Sequence, residues 1–124
     1  MSGLALKLAP KERVLINGVV VENGPRRAQL LIKTDNAYVL RLRDALDEAD
    51  VVGPASEAYF MAQRCVAGEI STEEAAQSLS PVLLELSSLD SIAVEKAQQS
   101  LTDGNLYRVM RALKPLVETE REAA

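Results

Sequence analysis

At 124 residues with 48% hydrophobic content the chain is long enough to bury one compact core, and with 3% aromatics that core must be filled by Leu, Val, Ile and Ala. The absence of histidine and the presence of one cysteine, Cys65, exclude disulfides, Cys/His zinc sites and catalysis that depends on an imidazole. The net charge of −4 is unevenly spread: residues 1–43 carry eight basic against three acidic residues, a net +5, and residues 44–124 carry six against fifteen, a net −9. That asymmetry suits an anionic partner for the first part, and it suits an ordinary solvated surface equally well.

The first strand is expected at 4–8, where Leu4, Leu6 and Leu8 alternate with Ala5 and Lys7 and Pro10 ends the pattern. From Arg13 to Glu22 the chain is rich in Val, Leu and Ile and is split by Asn17-Gly18, a pair that favours either a hairpin turn or a bulge. Asn23-Gly24-Pro25 marks a second turn, carrying Arg26 and Arg27. Strands are then expected from Ala28 to Lys33 and from Ala37 to Arg43, with a turn at Asp35-Asn36 between them. In the last strand Val39, Arg41 and Arg43 fall on one face and Leu40 and Leu42 on the other. If the turn pairs the last two strands, Lys33 joins the two arginines, and the tight loop brings Arg26 and Arg27 to the same rim. The pattern is an antiparallel meander of about four to five strands.

Beyond Asp44 the period becomes helical. Asp44 to Asp50 reads as a short acidic turn or helix. Pro54 and Gly68 then suit the first turn and the C-cap of a helix over 55–67. Ser71 with Glu74 is a capping-box signature. Ser80-Pro81 marks either a kink or the start of a new helix carrying Val82, Leu83, Leu86 and Leu89. A further helix is expected from Ile92 to Leu101. Asp103-Gly104-Asn105 opens the last one, whose stripe of Leu106, Val109, Met110, Leu113, Leu116 and Val117 reads as core. Pro115 should kink or end that helix, and the polar tail from Glu118 should fray.

The fold class is therefore α+β: a small antiparallel meander followed by a bundle of about four helices. A net-basic β unit over 1–46 and an acidic helical part over 47–124 are expected to share one core in a single domain. No stretch approaches the length of a membrane span and no signal-peptide pattern is evident, so a cytoplasmic protein without a membrane partner is expected. No oligomeric state is legible.

Little in the chain suggests chemistry, and neither an enzyme nor a cofactor is expected. Cys65, on a helix among apolar neighbours, reads as a packing residue. Asp44, Asp47, Glu48 and Asp50 lack the glycine and terminal glutamate of a calcium-binding loop, and no phosphate-binding glycine loop is present. The basic strands remain, since a small sheet whose arginines contact phosphates can hold single-stranded RNA. Only Tyr38 could add stacking from the sheet. Arg26 and Arg27 could fork onto phosphates or onto a carboxylate of the protein itself.

The string Leu6-Lys7-Leu8-Ala9-Pro10-Lys11-Glu12-Arg13, followed by Ile16-Asn17-Gly18-Val19-Val20 and Asn23-Gly24-Pro25-Arg26-Arg27, resembles the start of the FlbT family of flagellar regulators. The resemblance continues through Ala37, Val39, Leu40, Arg41 and Asp44, through Pro54-Ala55 with Tyr59-Phe60, and through Tyr107, Ala112 and Leu113. It departs from the family's pattern at Pro25, at Leu42 and at Ser56-Glu57, where basic residues often occur. What the resemblance implies is post-transcriptional control of flagellin synthesis, by binding the 5′ untranslated region of flagellin mRNA to control its stability or translation. Val39-Leu40-Arg41-Leu42-Arg43-Asp44 also resembles the arginine-bearing segment of the carbon storage regulators, small β proteins that bind mRNA leaders. Arg26, Arg27, Lys33, Arg41 and Arg43 are then the expected RNA contacts. The alternative is a protein-interaction adaptor whose helices bind flagellin or another flagellar regulatory or assembly protein.

Overall fold

A computed structural model describes residues 3–34 and 37–123. The expected turn at Asp35-Asn36 lies outside the described residues. The chain divides into two compact units, residues 1–45 and 46–124.

The first unit contains five short antiparallel strands: β1 (Leu4–Leu8), β2 (Arg13–Ile16), β3 (Val19–Glu22), β4 (Ala28–Ile32) and β5 (Val39–Arg41). Asn17-Gly18 makes a hairpin and not a bulge. Its φ values of 49° and 82° supply the two left-handed positions that a tight turn matching the strand twist requires. The hairpin pairs Arg13 with Glu22 and Ile16 with Val19. The pairing of the other strands differs from the sequence-based expectation: β4 bonds to β1, Leu8 opposite Ala28 and Leu4 opposite Ile32, while β5 bonds to β2. Lys33 therefore does not lie beside β5 through a shared hairpin. Leu6, Leu8 and Val14 form the buried centre of this unit, with Ile16, Leu30, Ile32 and Val39 packed around it. Leu4, at the sheet end, is half exposed despite belonging to the same alternation.

The second unit holds four helices: α1 (Pro54–Val66), α2 (Thr72–Leu86), α3 (Ser91–Thr102) and α4 (Leu106–Ala123). Four of their boundaries have a local cause. Gly68, at φ 83°, takes the left-handed position after α1. The hydroxyl of Ser71 accepts the N–H of Glu74, Asp90 accepts that of Ala93, and Asn105 accepts that of Arg108. Pro81 lies inside α2, so the kink-or-new-helix alternative resolves into one continuous element. Pro115 likewise neither ends α4 nor leaves its tail to fray, and the helix runs on to Ala123.

The α4 stripe is core, as its spacing predicts: Leu106, Val109, Met110, Leu113 and Val117 are buried, with Leu79, Leu83 and Leu86 of α2 and Val94 of α3. Cys65 is buried as well, its sulfur 3.9 Å from the Thr72 hydroxyl. Before α1, the Gln63 side chain holds Leu46 by both backbone groups, accepting its N–H at 2.7 Å and donating to its carbonyl at 3.0 Å.

Beyond Pro115, α4 is held by the burial of Val117 and by a contact far away in sequence. The Glu120 carboxylate accepts the N–H of Ala55 at 2.7 Å and of Ser56 at 2.9 Å, together with the Ser56 hydroxyl. These donors are among the orphan N–H groups of the α1 N-terminus, where a negative charge is favoured by the helix dipole. Gly53 makes the approach possible, because a Cβ there would stand 2.6 Å from the Glu120 carboxyl carbon. Its backbone is extended, so the requirement is for space and not for an unusual φ. No helix among the described residues is long and apolar enough to cross a membrane.

Candidate nucleic-acid interface

The strand unit places its cations in two arrangements. The first is an ion pair that serves the fold. After Pro10, Lys11 occupies a left-handed position at φ 64°, which costs a non-glycine residue about 1 kcal/mol and needs outside support. The support is on both sides of it. Ala9 donates its N–H to Glu12 Oε1 at 3.0 Å, and Lys11 N–H bonds the Gly24 carbonyl at 2.9 Å. Glu12 Oε2 is then met by Arg41 at 2.8 Å and by Arg43 at 3.7 Å.

The Glu12 side chain is only 6% exposed and that of Arg41 16%, whereas Arg43 remains 60% exposed. The Ala9 N–H holds the Glu12 carboxyl below its ordinary pKa against the opposing effect of burial, helped by Arg41 and then Arg43. Arg41 and Arg43 thus share one carboxylate, although not because both lie on a strand. β5 ends at Arg41, and Leu42–Asp44 form a 3-10 turn that brings Arg43 round.

The second arrangement is an open hollow lined by Lys7, Leu8, Ala9, Arg27, Ala28, Gln29 and Arg43. Lys7 stands opposite Gln29 across the β1–β4 ladder, and Leu8 opposite Ala28, so pairing alone sets Lys7 beside the start of β4. Arg27 immediately precedes that strand. Its loop is fastened by Asn23, whose side-chain amide donates to the Ala9 carbonyl at 2.7 Å and to the Arg26 carbonyl at 2.8 Å. The backbone N–H of Asn23 bonds Glu12 at 2.8 Å. One asparagine therefore ties the arginine loop to the turn that carries the Glu12 ion pair.

Of the expected contact residues, the structure brings together Arg27 and Arg43 and adds Lys7. Arg26 is exposed on the same loop but does not line the hollow. Arg41 is turned to Glu12. Lys33 is exposed beyond the far end of β4, roughly 20 Å along the strand from Arg27 at ~3.3 Å per residue. Tyr38 is half exposed at the hairpin end of β5. Its backbone N–H is held by the Asn17 side chain at 2.9 Å, and its carbonyl by the Asn17 N–H at 2.9 Å. Lys7 was missed because nothing in a single strand says which residue will stand across from it. The β1–β4 register was the missing information. A hollow with two guanidinium groups, an ammonium and a side-chain amide can bind phosphate oxygens by charge-assisted hydrogen bonds. Among the described residues no cluster of three or more Cys, Asp or Glu side chains could hold a metal ion.

A family model described as flagellar protein FlbT matches residues 4–124. Similar curated proteins include the flagellum biosynthesis repressor protein FlbT of Caulobacter vibrioides, 29% identical over 127 residues that cover 96% of this chain and 87% of the relative. The probable flagellum biosynthesis repressor protein FlbT of Rhodopseudomonas palustris is 28% identical over 121 residues, covering 96% of this chain and 95% of its own. A Bradyrhizobium diazoefficiens protein of the same description is 27% identical over 124 residues, with 96% and 83% covered. No solved structure matches the chain.

Proposed function

The chain belongs to the FlbT family of flagellar proteins, and from that membership we propose that it is a post-transcriptional regulator of flagellum biogenesis that binds the 5′ untranslated region of flagellin mRNA. The name flagellum biosynthesis repressor, carried by its relatives, supports the regulatory part of this reading. The observation that carries the RNA part is the convergence of Lys7, Arg27 and Arg43 on one exposed hollow of a net-basic unit. Phosphates enter that hollow, with Arg43 swinging between Glu12 and the ligand, while Arg26 and Lys33 add contacts along the flanking strand. Bases are left free to stack on Tyr38. Binding to the leader controls the stability or translation of the message, and the protein acts by occupancy and not by catalysis, in the cytoplasm.

The test is direct titration of a labelled flagellin leader with the wild-type chain and with an Arg27→Ala, Arg43→Ala variant. Loss of about tenfold or more in affinity, at unchanged circular dichroism, is expected. Equal affinity would remove these residues from the interface. No affinity for the leader even at low salt, with recovery of flagellin or another flagellar protein on the immobilised chain, would favour an adaptor working through its helices.

A further inference from the structure

The helical unit carries an open groove between α3 and α4, lined by Ile92, Ala93 and Lys96 on one side and by Arg108, Arg111 and Ala112 on the other. Residues 46–124 contain six basic residues against fourteen acidic ones, and three of the six line this groove. Elsewhere in the unit Arg64 is paired with Glu69 and Arg121 with Asp50. Lys96, Arg108 and Arg111 have no ion pair among the described residues, and all three are exposed.

The carboxylates that share the groove are engaged, Asp90 with the Ala93 N–H and Asp103 with the Gln99 amide. The groove also has a polarity along its length. α3 and α4 are joined by only Asp103–Asn105 and so run antiparallel. Arg108 lies nearest that connection, Lys96 and Arg111 follow, and Ile92, 66% exposed, lies towards the far end.

We propose that this groove is a docking site for an acidic amphipathic segment of a partner protein, its carboxylates against Lys96, Arg108 and Arg111 and an aliphatic side chain against Ile92 and Ala93. Charge complementarity selects the occupant: three unpaired cations concentrated in an otherwise acidic unit attract a short anionic segment, which the surrounding carboxylates touch little once it is seated. A long polyanion such as RNA is the poorer fit, because it would extend over that acidic surface and because no aromatic side chain lines the groove for stacking. The groove shares no residue with the cationic hollow of the strand unit, so failure of either activity leaves the other readable.

The experiment titrates three labelled probes into the full chain: an amphipathic helical peptide with glutamates on one face and leucines on the other, the same peptide with lysines for glutamates, and an oligouridylate. Affinity is read by fluorescence anisotropy and location by amide chemical shifts. The glutamate peptide should shift amides over 92–96 and 108–112. Arg108→Glu with Arg111→Glu should weaken it by about tenfold or more without changing the circular dichroism. Equal binding of the lysine peptide, shifts confined to other residues, no binding of the glutamate peptide, or oligouridylate in the groove would each overturn the proposal.

Discussion

Arg41 and Arg43 stand two positions apart, reach the same carboxylate, and should fail in different ways. Arg41 is largely buried against Glu12, so Arg41→Ala leaves a nearly enclosed carboxylate without its nearest cation, at a cost of about 2–4 kcal/mol. Arg43 is mostly exposed and further from the oxygen, so Arg43→Ala should change stability by less than about 0.5 kcal/mol while lowering RNA affinity. Urea titration beside leader binding separates the two. The pair also sets a pH dependence. Because the folded pKa of Glu12 is lowered, its contribution to stability is fully present above the ordinary carboxylate range and is lost as pH falls through that depressed value. Glu12→Gln should therefore be less stable than the wild type at neutral pH, and the gap should close in acid, in unfolding curves measured at successive pH values. Little of this was legible beforehand. Arg41 and Arg43 were recognisable as candidates from alternation, but Glu12 lies 29 residues from Arg41 in sequence, and only the β2–β5 register brings them together.

At the scale of elements, the features read correctly from sequence are those with local causes. Gly68 and Ser71 with Glu74 act within a few residues and are a helix stop and a cap, and Asn17-Gly18, open between a hairpin and a bulge in the sequence, is a hairpin turn. Pro115 does not end α4 and the polar tail expected to fray is helical to Ala123, because packing outweighs local preference there. The buried stripe of α4 and the Glu120 carboxylate hold the last helix in place across a separation of 65 residues. Glu120→Ala should cost about 1–3 kcal/mol through the lost capping bonds. Gly53→Ala should cost a similar amount by excluding the same carboxylate, and the double variant should cost much less than the sum, in a double-mutant cycle read by thermal unfolding. In the strand unit the equivalent fastening is Asn23. Asn23→Ala removes no cation, yet it should weaken leader binding several-fold by releasing the loop that presents Arg27, with helical circular dichroism unchanged.

The charge segregation of the whole molecule was visible from composition, but its meaning was not, since a +5 first third suits surface and ligand equally. The structure sharpens the question by sorting the cations. Arg41 serves Glu12, Arg13 is bonded to Glu22, and Lys7, Arg27 and Arg43 open onto one hollow. Phosphate binding in this hollow is read out by the salt dependence of flagellin-leader binding by the wild type and by Lys7→Ala, Arg27→Ala, Arg43→Ala. Each phosphate contact releases counterions and contributes roughly 0.7 to the slope of log affinity against log salt for single strands. The wild type should bind with a steep slope, and the triple variant should lose affinity together with about two units of slope. Identical slopes and affinities in the two proteins would rule out RNA binding through this hollow.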